Sequence, residues 1–84
     1  MSLSLEDLQK SVNFVDIKIG SIWYHYKNKS KHYRVIHIGI DVDTDEPVVI
    51  YEALYISPPL IFTRSYKSWS EIINSTTHRF TLKE

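Results

Sequence analysis

The chain has 84 residues, of which 43% are hydrophobic, and its ten basic and ten acidic side chains give a formal net charge of zero. This length supports one domain with a small core, and the composition argues against disorder. The absence of cysteine excludes a disulfide framework and a cysteine-based zinc site, and no apolar run approaches the ~20 residues of a membrane span. We therefore expect a single cytoplasmic domain, with residues 1–19 as an N-terminal extension and residues 20–82 as its core.

The first 20 residues predict a short helix and then an extended segment. Ser4 is a suitable N-cap, and Leu5 and Leu8 fall on one helical face, which indicates a helix over about residues 4–11. Apolar and polar side chains alternate over residues 15–19, as in an extended chain, up to Gly20.

Residues 22–26 and 33–40 are rich in β-forming side chains and predict an antiparallel hairpin. The six residues between them, KNKSKH at 27–32, are polar and predict a turn with a basic tip. Residues 41–47, DVDTDEP, predict the next turn, because Asp and Thr side chains bond the local backbone and Pro47 is disfavoured inside a central strand.

The second half predicts a central strand over residues 48–56, a short strand over 60–64 and a last strand over 78–82. Trp69, Ile72 and Ile73 are spaced by three and four residues, which predicts a short helical insertion near residues 65–73. The predicted fold is mainly β. It is a small SH3-like, partly open β-barrel of five to six short strands, with a short N-terminal helix and this insertion.

The order of several short motifs supports this fold through a family resemblance. Gly20 is followed by WYHYK at 23–27, YRV at 33–35, VIYEALY at 49–55 and RF at 79–80. This order resembles the small bacterial and phage domain-of-unknown-function (DUF) 1653 family, whose members typically read Y-R-H-Y-K-G, Y-x-V, H-S-E-T, V-V-Y-x-A-L-Y, W-V-R-P and R-F. The resemblance covers residues 20–80. It implies a small SH3-like β-barrel and supplies no established function.

The positions that match the family motif include aromatic, basic and histidine side chains. They are His25, Tyr26, Lys27, Tyr51, Leu54, Tyr55, Arg64, Arg79 and Phe80. The chain departs from the motif where the family has H-S-E-T, because Asp41-Val42-Asp43-Thr44 stands there. Asn28 replaces the family glycine after H-Y-K, and several residues are inserted before Tyr33. An activity that depends on the H-S-E-T turn is therefore in question for this chain.

The stretch SIWYHYKNKSKHYRV at 21–35 combines aromatic and basic residues, and residues 21–40 contain four basic side chains and no acid. One interpretation is a structural hairpin, because alternation in a strand directs about half of the aromatics to the core. The other is a surface for single-stranded nucleic acid, where bases stack on rings and lysines contact phosphates. The zero net charge, and the five acids and no base of residues 41–55, count against a nucleic-acid surface.

Of the possible functions, we favour a small non-catalytic binding module whose ligand is nucleic acid. The candidate ligand-binding residues are Trp23, Tyr24, His25, Tyr26, Lys27, Lys29, Lys31, Arg34, Tyr51, Tyr55 and Arg64. In this hypothesis Trp23, or Tyr24 with Tyr26, stacks on bases. The basic residues of the hairpin contact phosphates, and Arg64 clamps the ligand.

Two other function classes remain open. A peptide-binding module would use an aromatic groove, for which Trp23, Tyr51, Tyr55, Phe62 and Trp69 are the candidates. A small enzyme would use the titratable histidine and the anion-binding arginine in a constellation of His25, Asp43, Tyr51 and Arg64. No nucleophile motif, phosphate-cradling loop or dinucleotide fingerprint supports catalysis, and we assign no catalytic residue.

Metal binding is the weakest of the chemical hypotheses. The acids of DVDTDEPVVIYE fall at positions 1, 3, 5 and 12 of an EF-hand loop, yet Glu46 stands where that loop requires glycine. The four histidines form no helical metal-binding pair. We therefore expect no metal and no cofactor. The expected partner is nucleic acid or a peptide rather than a membrane, and the expected state is a monomer or a weak homodimer.

Overall fold

The computed structural model describes residues 3–83, which form a mainly β fold with two short helices. In chain order the elements are α1 (Leu5–Asn13), β1 (Ile22–His25), β2 (Asn28–Asp41), β3 (Glu46–Ala53), β4 (Ile61–Ser65), α2 (Tyr66–Trp69) and β5 (Phe80–Leu82). The strands form one antiparallel sheet in the order β4-β3-β2-β1-β5. Because β4 and β5 are not paired with each other, the sheet is partly open. The predicted mainly β, partly open fold is confirmed.

Helix α1 begins as the capping pattern predicts and extends two residues further than expected. The Ser4 hydroxyl accepts a hydrogen bond from the Asp7 backbone N–H at 3.1 Å, which satisfies one of the free donors of the first turn. Leu8 is buried, whereas Leu5, expected on the same face, is 85% exposed. Over residues 3–83, neither helix has the length and apolar character needed to cross a bilayer.

The segment between α1 and β1 alternates as predicted but does not join the sheet. Val15 and Ile17 pack against the core, while Asp16 and Lys18 are exposed. Gly20 has a φ of 89°, which disfavours other residues, and its N–H donates to the carbonyl of Val35 at 2.7 Å. This turn directs the chain into β1.

The first hairpin differs from its prediction in the length of its turn. Only Tyr26 and Lys27 lie between β1 and β2, so the predicted six-residue turn at 27–32 is wrong. Instead, the register shifts between Tyr24, which pairs with His32, and His25, which pairs with Asn28. The extra residues of β2 form an irregular bulge. The Asn28 Oδ1 accepts hydrogen bonds from the Ser30 N–H and hydroxyl at 3.0 and 2.7 Å, which stabilises the bulge locally.

Strand β3 begins at Glu46 and includes Pro47, contrary to the expectation that Pro47 would stay outside a central strand. The pairing explains why proline is tolerated. Pro47 lies opposite Ile40 of β2, but pairing of β3 with β4 begins only at Val48, opposite Ser65. On the side that faces β4, Pro47 therefore lies beyond the last pair of hydrogen-bonded residues. No backbone N–H is needed from residue 47 there, so a proline is tolerated.

The helical insertion and the last strand are both shorter than predicted. Helix α2 has only four residues, and the Ser65 hydroxyl caps it by accepting from the Ser68 N–H at 3.1 Å. Ile72 and His78 form an isolated bridge, and β5 begins at Phe80 rather than at residue 78.

The core lies on the inner face of the sheet and is largely aromatic. Its buried residues are Val35, Ile38, Val49, Tyr51, Trp69 and Phe80. The rings of Trp69 and Phe80 stack with centroids 3.8 Å apart, and Trp23 contacts Trp69 edge to face at 5.5 Å. This stacking fixes α2 against β5, which brings the start of β5 next to the end of β1.

A cationic aromatic cleft as the candidate functional site

A cleft of about 280 Å³ opens at the end of the sheet where β1 turns into β2. All five strands contribute to it. Its lining residues are His25, Lys27, Asn28, Lys31, Tyr33, Tyr51, Tyr55, Arg64 and Phe80. Three of these side chains are cationic and none is a carboxylate, so the cleft is suited to an anion.

Tyrosine rings form the wall of the cleft. The Tyr33 ring meets those of Tyr51 and Tyr55 edge to face, each with a centroid distance of 5.5 Å. The hydroxyls of Tyr33 and Tyr55 share a hydrogen bond of 3.0 Å. Burial, followed by this hydrogen bond, raises the pKa of Tyr33 to about 12, so its hydroxyl stays neutral at physiological pH.

Arg64 crosses the floor of the cleft. Its guanidinium lies over the Phe80 ring at 5.5 Å, its Nη1 donates to the Ser68 hydroxyl at 3.0 Å, and its Nε points to the Tyr51 hydroxyl at 3.4 Å. Within residues 3–83 no carboxylate pairs with Arg64. The neutral contacts orient the guanidinium and leave its charge available to a ligand.

The other two cations of the cleft are lysines. Lys27 occupies the β1–β2 turn, and Lys31 belongs to the bulge of β2. The Nζ of Lys31 lies 4.9 Å from the centroid of the Tyr55 ring. The bulge therefore places Lys31 beside the aromatic wall.

His25, the last residue of β1, is the titratable group of the cleft. Its Nδ1 accepts a hydrogen bond from the Lys27 N–H at 3.2 Å, and its ring meets Phe80 edge to face at 5.1 Å. Burial lowers the pKa of His25, and the charges of Arg64, Arg79 and Lys27 lower that pKa further. Because Nδ1 is an acceptor here, the neutral ring carries its proton on Nε2.

Six of the predicted ligand-binding residues line this cleft. They are His25, Lys27, Lys31, Tyr51, Tyr55 and Arg64. Tyr51 is buried, so its ring belongs to the core and it reaches the cleft at its margin.

The other predicted ligand-binding residues do not line the cleft. Trp23 packs on Trp69 and lines a separate groove of about 370 Å³. Tyr24 and Tyr26 lie on β1 and in its turn, with the Tyr26 ring against that of His25 at 4.7 Å. Lys29 is exposed on the bulge, and Arg34 pairs with Glu52 at 3.0 Å.

Three cleft residues were missing from the predicted site. Asn28, Tyr33 and Phe80 all line the cleft. The motif resemblance had marked Phe80 as a matching position. Asn28 and Tyr33 come together with His25 only through the shifted register of β1 and β2, which strand alternation does not reveal.

The hypothetical catalytic constellation is only partly assembled. His25, Tyr51 and Arg64 share the cleft. Asp43 lies instead in the β2–β3 turn, where its N–H donates to the Asp41 carboxylate at 2.8 Å. The cleft therefore holds a histidine without a carboxylate to orient it, and no Ser, Thr or Cys is among its lining residues.

The aromatics of the hypothetical peptide groove are divided between the cleft and a second groove, and the acidic turn lies outside the lining of the cleft. Trp69 is buried, and Trp23 lies with it in the other groove, while Tyr55 lines the cleft. Strands rather than helices flank the acidic turn. Within residues 3–83, no three His, Asp or Glu side chains are grouped so that they could hold a metal ion.

Comparison with known families identifies the chain. The model of a family described as "Protein of unknown function (DUF1653)" matches residues 21–82, which is 62 of the 84 residues. The chain belongs to the DUF1653 family. Helix α1 lies outside the matched region of this DUF1653 chain. No curated protein and no solved structure matches it.

The DUF1653 motif positions converge on the cleft. Of the nine positions that carry the resemblance, six line it: His25, Lys27, Tyr51, Tyr55, Arg64 and Phe80. A seventh, Arg79, acts on His25 through its charge. The residues that replace H-S-E-T run from Asp41, the last residue of β2, into the β2–β3 turn, and none of the four lines the cleft.

Proposed function

We propose that this protein is a non-catalytic module that binds single-stranded nucleic acid in the cleft. The observation that carries this proposal is the convergence of Lys27, Lys31 and Arg64 with the tyrosine wall in one carboxylate-free cleft. Single strands require both cations along the backbone and rings on which bases stack, and here the two kinds of group lie side by side.

The partial exposure of the aromatic wall supports a stacking role. Tyr55 is 41% exposed, so one part of its ring is available to a base while its hydroxyl is held by Tyr33. Neighbouring Phe62, which is 37% exposed, meets the Tyr51 ring at 5.6 Å and continues the apolar surface outside the cleft. Stacking of a base on an aromatic side chain contributes about 1–3 kcal/mol.

The zero net charge is compatible with a local binding site because several basic residues elsewhere are neutralised. Arg34 pairs with Glu52, Arg79 with Glu71 and Lys10 with Glu6. The three cations of the cleft have no such partners among residues 3–83, so each contributes positive potential at the cleft. We place the module in the cytoplasm of a bacterium or of a phage-infected cell, where single-stranded nucleic acid is accessible.

The test is fluorescence anisotropy of a labelled mixed-sequence DNA single strand, titrated with the protein at low and then moderate salt. We expect binding that weakens as salt rises. In a variant that combines Lys27→Gln, Lys31→Gln and Arg64→Gln, the slope of log affinity against log salt should fall by about 2, at about 0.7 for each lost phosphate contact.

The matched control combines Lys10→Gln, Lys18→Gln and Lys67→Gln, which remove the same number of cations from exposed positions outside the cleft. This control should keep most of the salt slope. If the wild-type protein does not bind the strand at low salt, or if both triple variants lose the same slope, the proposed function is wrong.

A further inference from the structure

His25 lies where a phosphate bound by Arg64 would contact a second donor. Both side chains line the cleft, and both contact the Phe80 ring, His25 at its edge and Arg64 over its face. The neutral His25 ring presents its Nε2 proton, because Nδ1 is engaged by the Lys27 N–H. Arg64 and the neutral His25 therefore offer one cationic and one uncharged hydrogen-bond donor beside the same Phe80 ring.

The groups that face His25 are cationic or neutral on every element packed against it. Lys27 follows it in the turn, Lys31 lies on β2, Arg64 on β4, and Arg79 immediately before β5. Asn28, Tyr33, Tyr51 and Tyr55 supply only uncharged polar groups. Glu71, the acid that contacts Arg79, is paired with it at 3.1 Å. In the free protein burial, and then the charges of Arg64, Arg79 and Lys27, oppose protonation of His25 and lower its pKa.

We propose that a phosphodiester of the bound strand occupies a subsite between Arg64 and His25, and that His25 takes up a proton when the strand binds. This inference rests on the proposed function. A phosphodiester brings a negative charge among the cations, so it removes part of the repulsion that keeps His25 neutral. Protonation also strengthens the hydrogen bond that Nε2–H donates to the phosphate, because both partners are then ionised.

Proton uptake has a local structural consequence. The second proton goes to Nδ1, which then donates and no longer accepts the hydrogen bond from the Lys27 N–H. The Lys27 N–H then loses this acceptor. The β1–β2 turn should therefore change its hydrogen bonding when the strand binds, and the backbone amide of Lys27 reports that change.

The sign of the pH dependence follows from linkage. If the pKa of His25 is higher in the complex than in the free protein, the complex binds more protons, and affinity rises as pH falls between those two pKa values. One proton changes affinity by at most about tenfold for each pH unit.

The experiment measures the affinity of wild-type protein for oligothymidylate without terminal phosphates at constant ionic strength. Neither the bases nor the phosphodiesters of this probe titrate over the histidine range of about pH 5–8. Affinity should increase severalfold as pH falls. The variant His25→Gln should bind with no pH dependence, whereas the matched control His78→Gln, an exposed position outside the cleft, should keep that of the wild type.

NMR titration of the His25 ring in the wild-type protein, with and without oligothymidylate, keeps the test independent of how well the variants fold. A higher pKa of His25 in the complex, together with a shift of the Lys27 amide, supports the inference. Binding with an unchanged pKa of His25 overturns the inference and leaves the proposed function standing. Absence of binding at every pH refutes the proposed function itself.

Discussion

Tyr33 joins the wall of the cleft to the core of the domain. Its ring contacts Tyr51, Tyr55 and Phe80, and its hydroxyl bonds that of Tyr55, which follows β3. Tyr33 thus connects the buried ring of Tyr51 with the exposed ring of Tyr55. At the scale of single residues, the hydrogen bond and ring contact of Tyr33 determine the position of the Tyr55 ring.

We expect Tyr55→Phe to lower the pKa of Tyr33 from about 12 towards, but not to, its ordinary value near 10, because burial remains when the hydrogen bond is lost. The pKa of Tyr33 is higher in the folded than in the unfolded protein. Its contribution to stability is therefore complete below about pH 10 and is lost as pH rises towards 12. In the variant, the loss should still begin near pH 10 but should end at a lower pH and be smaller in total, because the folded-state pKa is lower.

The measurement is NMR titration of the tyrosine ring carbons, combined with urea unfolding at several alkaline pH values. Tyr24→Phe is the control, because Tyr24 lies on β1 outside the lining of the cleft. An unchanged pKa of Tyr33 in Tyr55→Phe would show that the hydrogen bond between the Tyr33 and Tyr55 hydroxyls does not stabilise the aromatic wall.

Some residues of the candidate site were predictable from the sequence because their functional groups suggest a binding role. His25, Lys27 and Arg64 carry functional groups that suggest anion binding, and each lines the cleft. Trp23 has an equally suggestive side chain but packs on Trp69, because alternation along β1 directs it to the core. Residue type alone does not distinguish a core position from a ligand-binding position, because an aromatic ring can pack in the core or stack on a ligand.

At the scale of elements, the bulge of β2 separates two lysines that look equivalent in the sequence. Lys31 lines the cleft beside Tyr55, whereas Lys29 is exposed outside it. A regular hairpin would place the two on the same face, since they are two residues apart. The irregular register breaks that equivalence.

Lys31→Gln should therefore weaken strand binding by roughly fivefold at about 0.1 M salt, the effect of one lost phosphate contact with a slope of about 0.7. Lys29→Gln, which removes the same charge from a neighbouring position, should have a clearly smaller effect. Anisotropy titrations of both variants at the same salt concentration check this. Equal losses of affinity in the two variants would mean that the nucleic-acid strand contacts the whole bulge of β2 and does not enter the cleft.

The elements were largely predictable because their local signals agree with the fold. The N-cap at Ser4, the start of β1 at Ile22 and the break at Gly20 all lie where the pattern places them. The prediction was wrong for the turn at 27–32 and for Pro47. In both places the outcome depends on the partner strand: the register against β1 in one, and the end of β4 in the other.

At the scale of the whole molecule, α1 stabilises the domain from outside the family-matched region. Leu8 is buried, and Val12 packs against the core from the same helix, while no residue of α1 lines the cleft. The helix and the cleft are thus on different parts of the surface. Stability and ligand binding should respond separately to changes in α1.

We expect Leu8→Ala to lower the free energy of unfolding by about 2 kcal/mol, since it removes a buried side chain and leaves a cavity. Leu5→Ala, at a position that is 85% exposed, should change it by less than about 0.5 kcal/mol. Urea unfolding followed by tryptophan fluorescence measures both. Strand affinity of the folded Leu8→Ala protein should match that of the wild type. A loss of affinity would show that α1 supports the cleft.

The cleft is composed of residues from all five strands, and His25 and Phe80, which meet on its floor, are 55 positions apart in the chain. A fragment that lacks any one strand therefore has no complete site. A ligand of this cleft recognises only the fully assembled sheet, and so it stabilises the native state against the unfolded ensemble as a whole, by an amount that increases with its free concentration. A nucleic-acid strand bound as proposed would therefore also stabilise the folded protein.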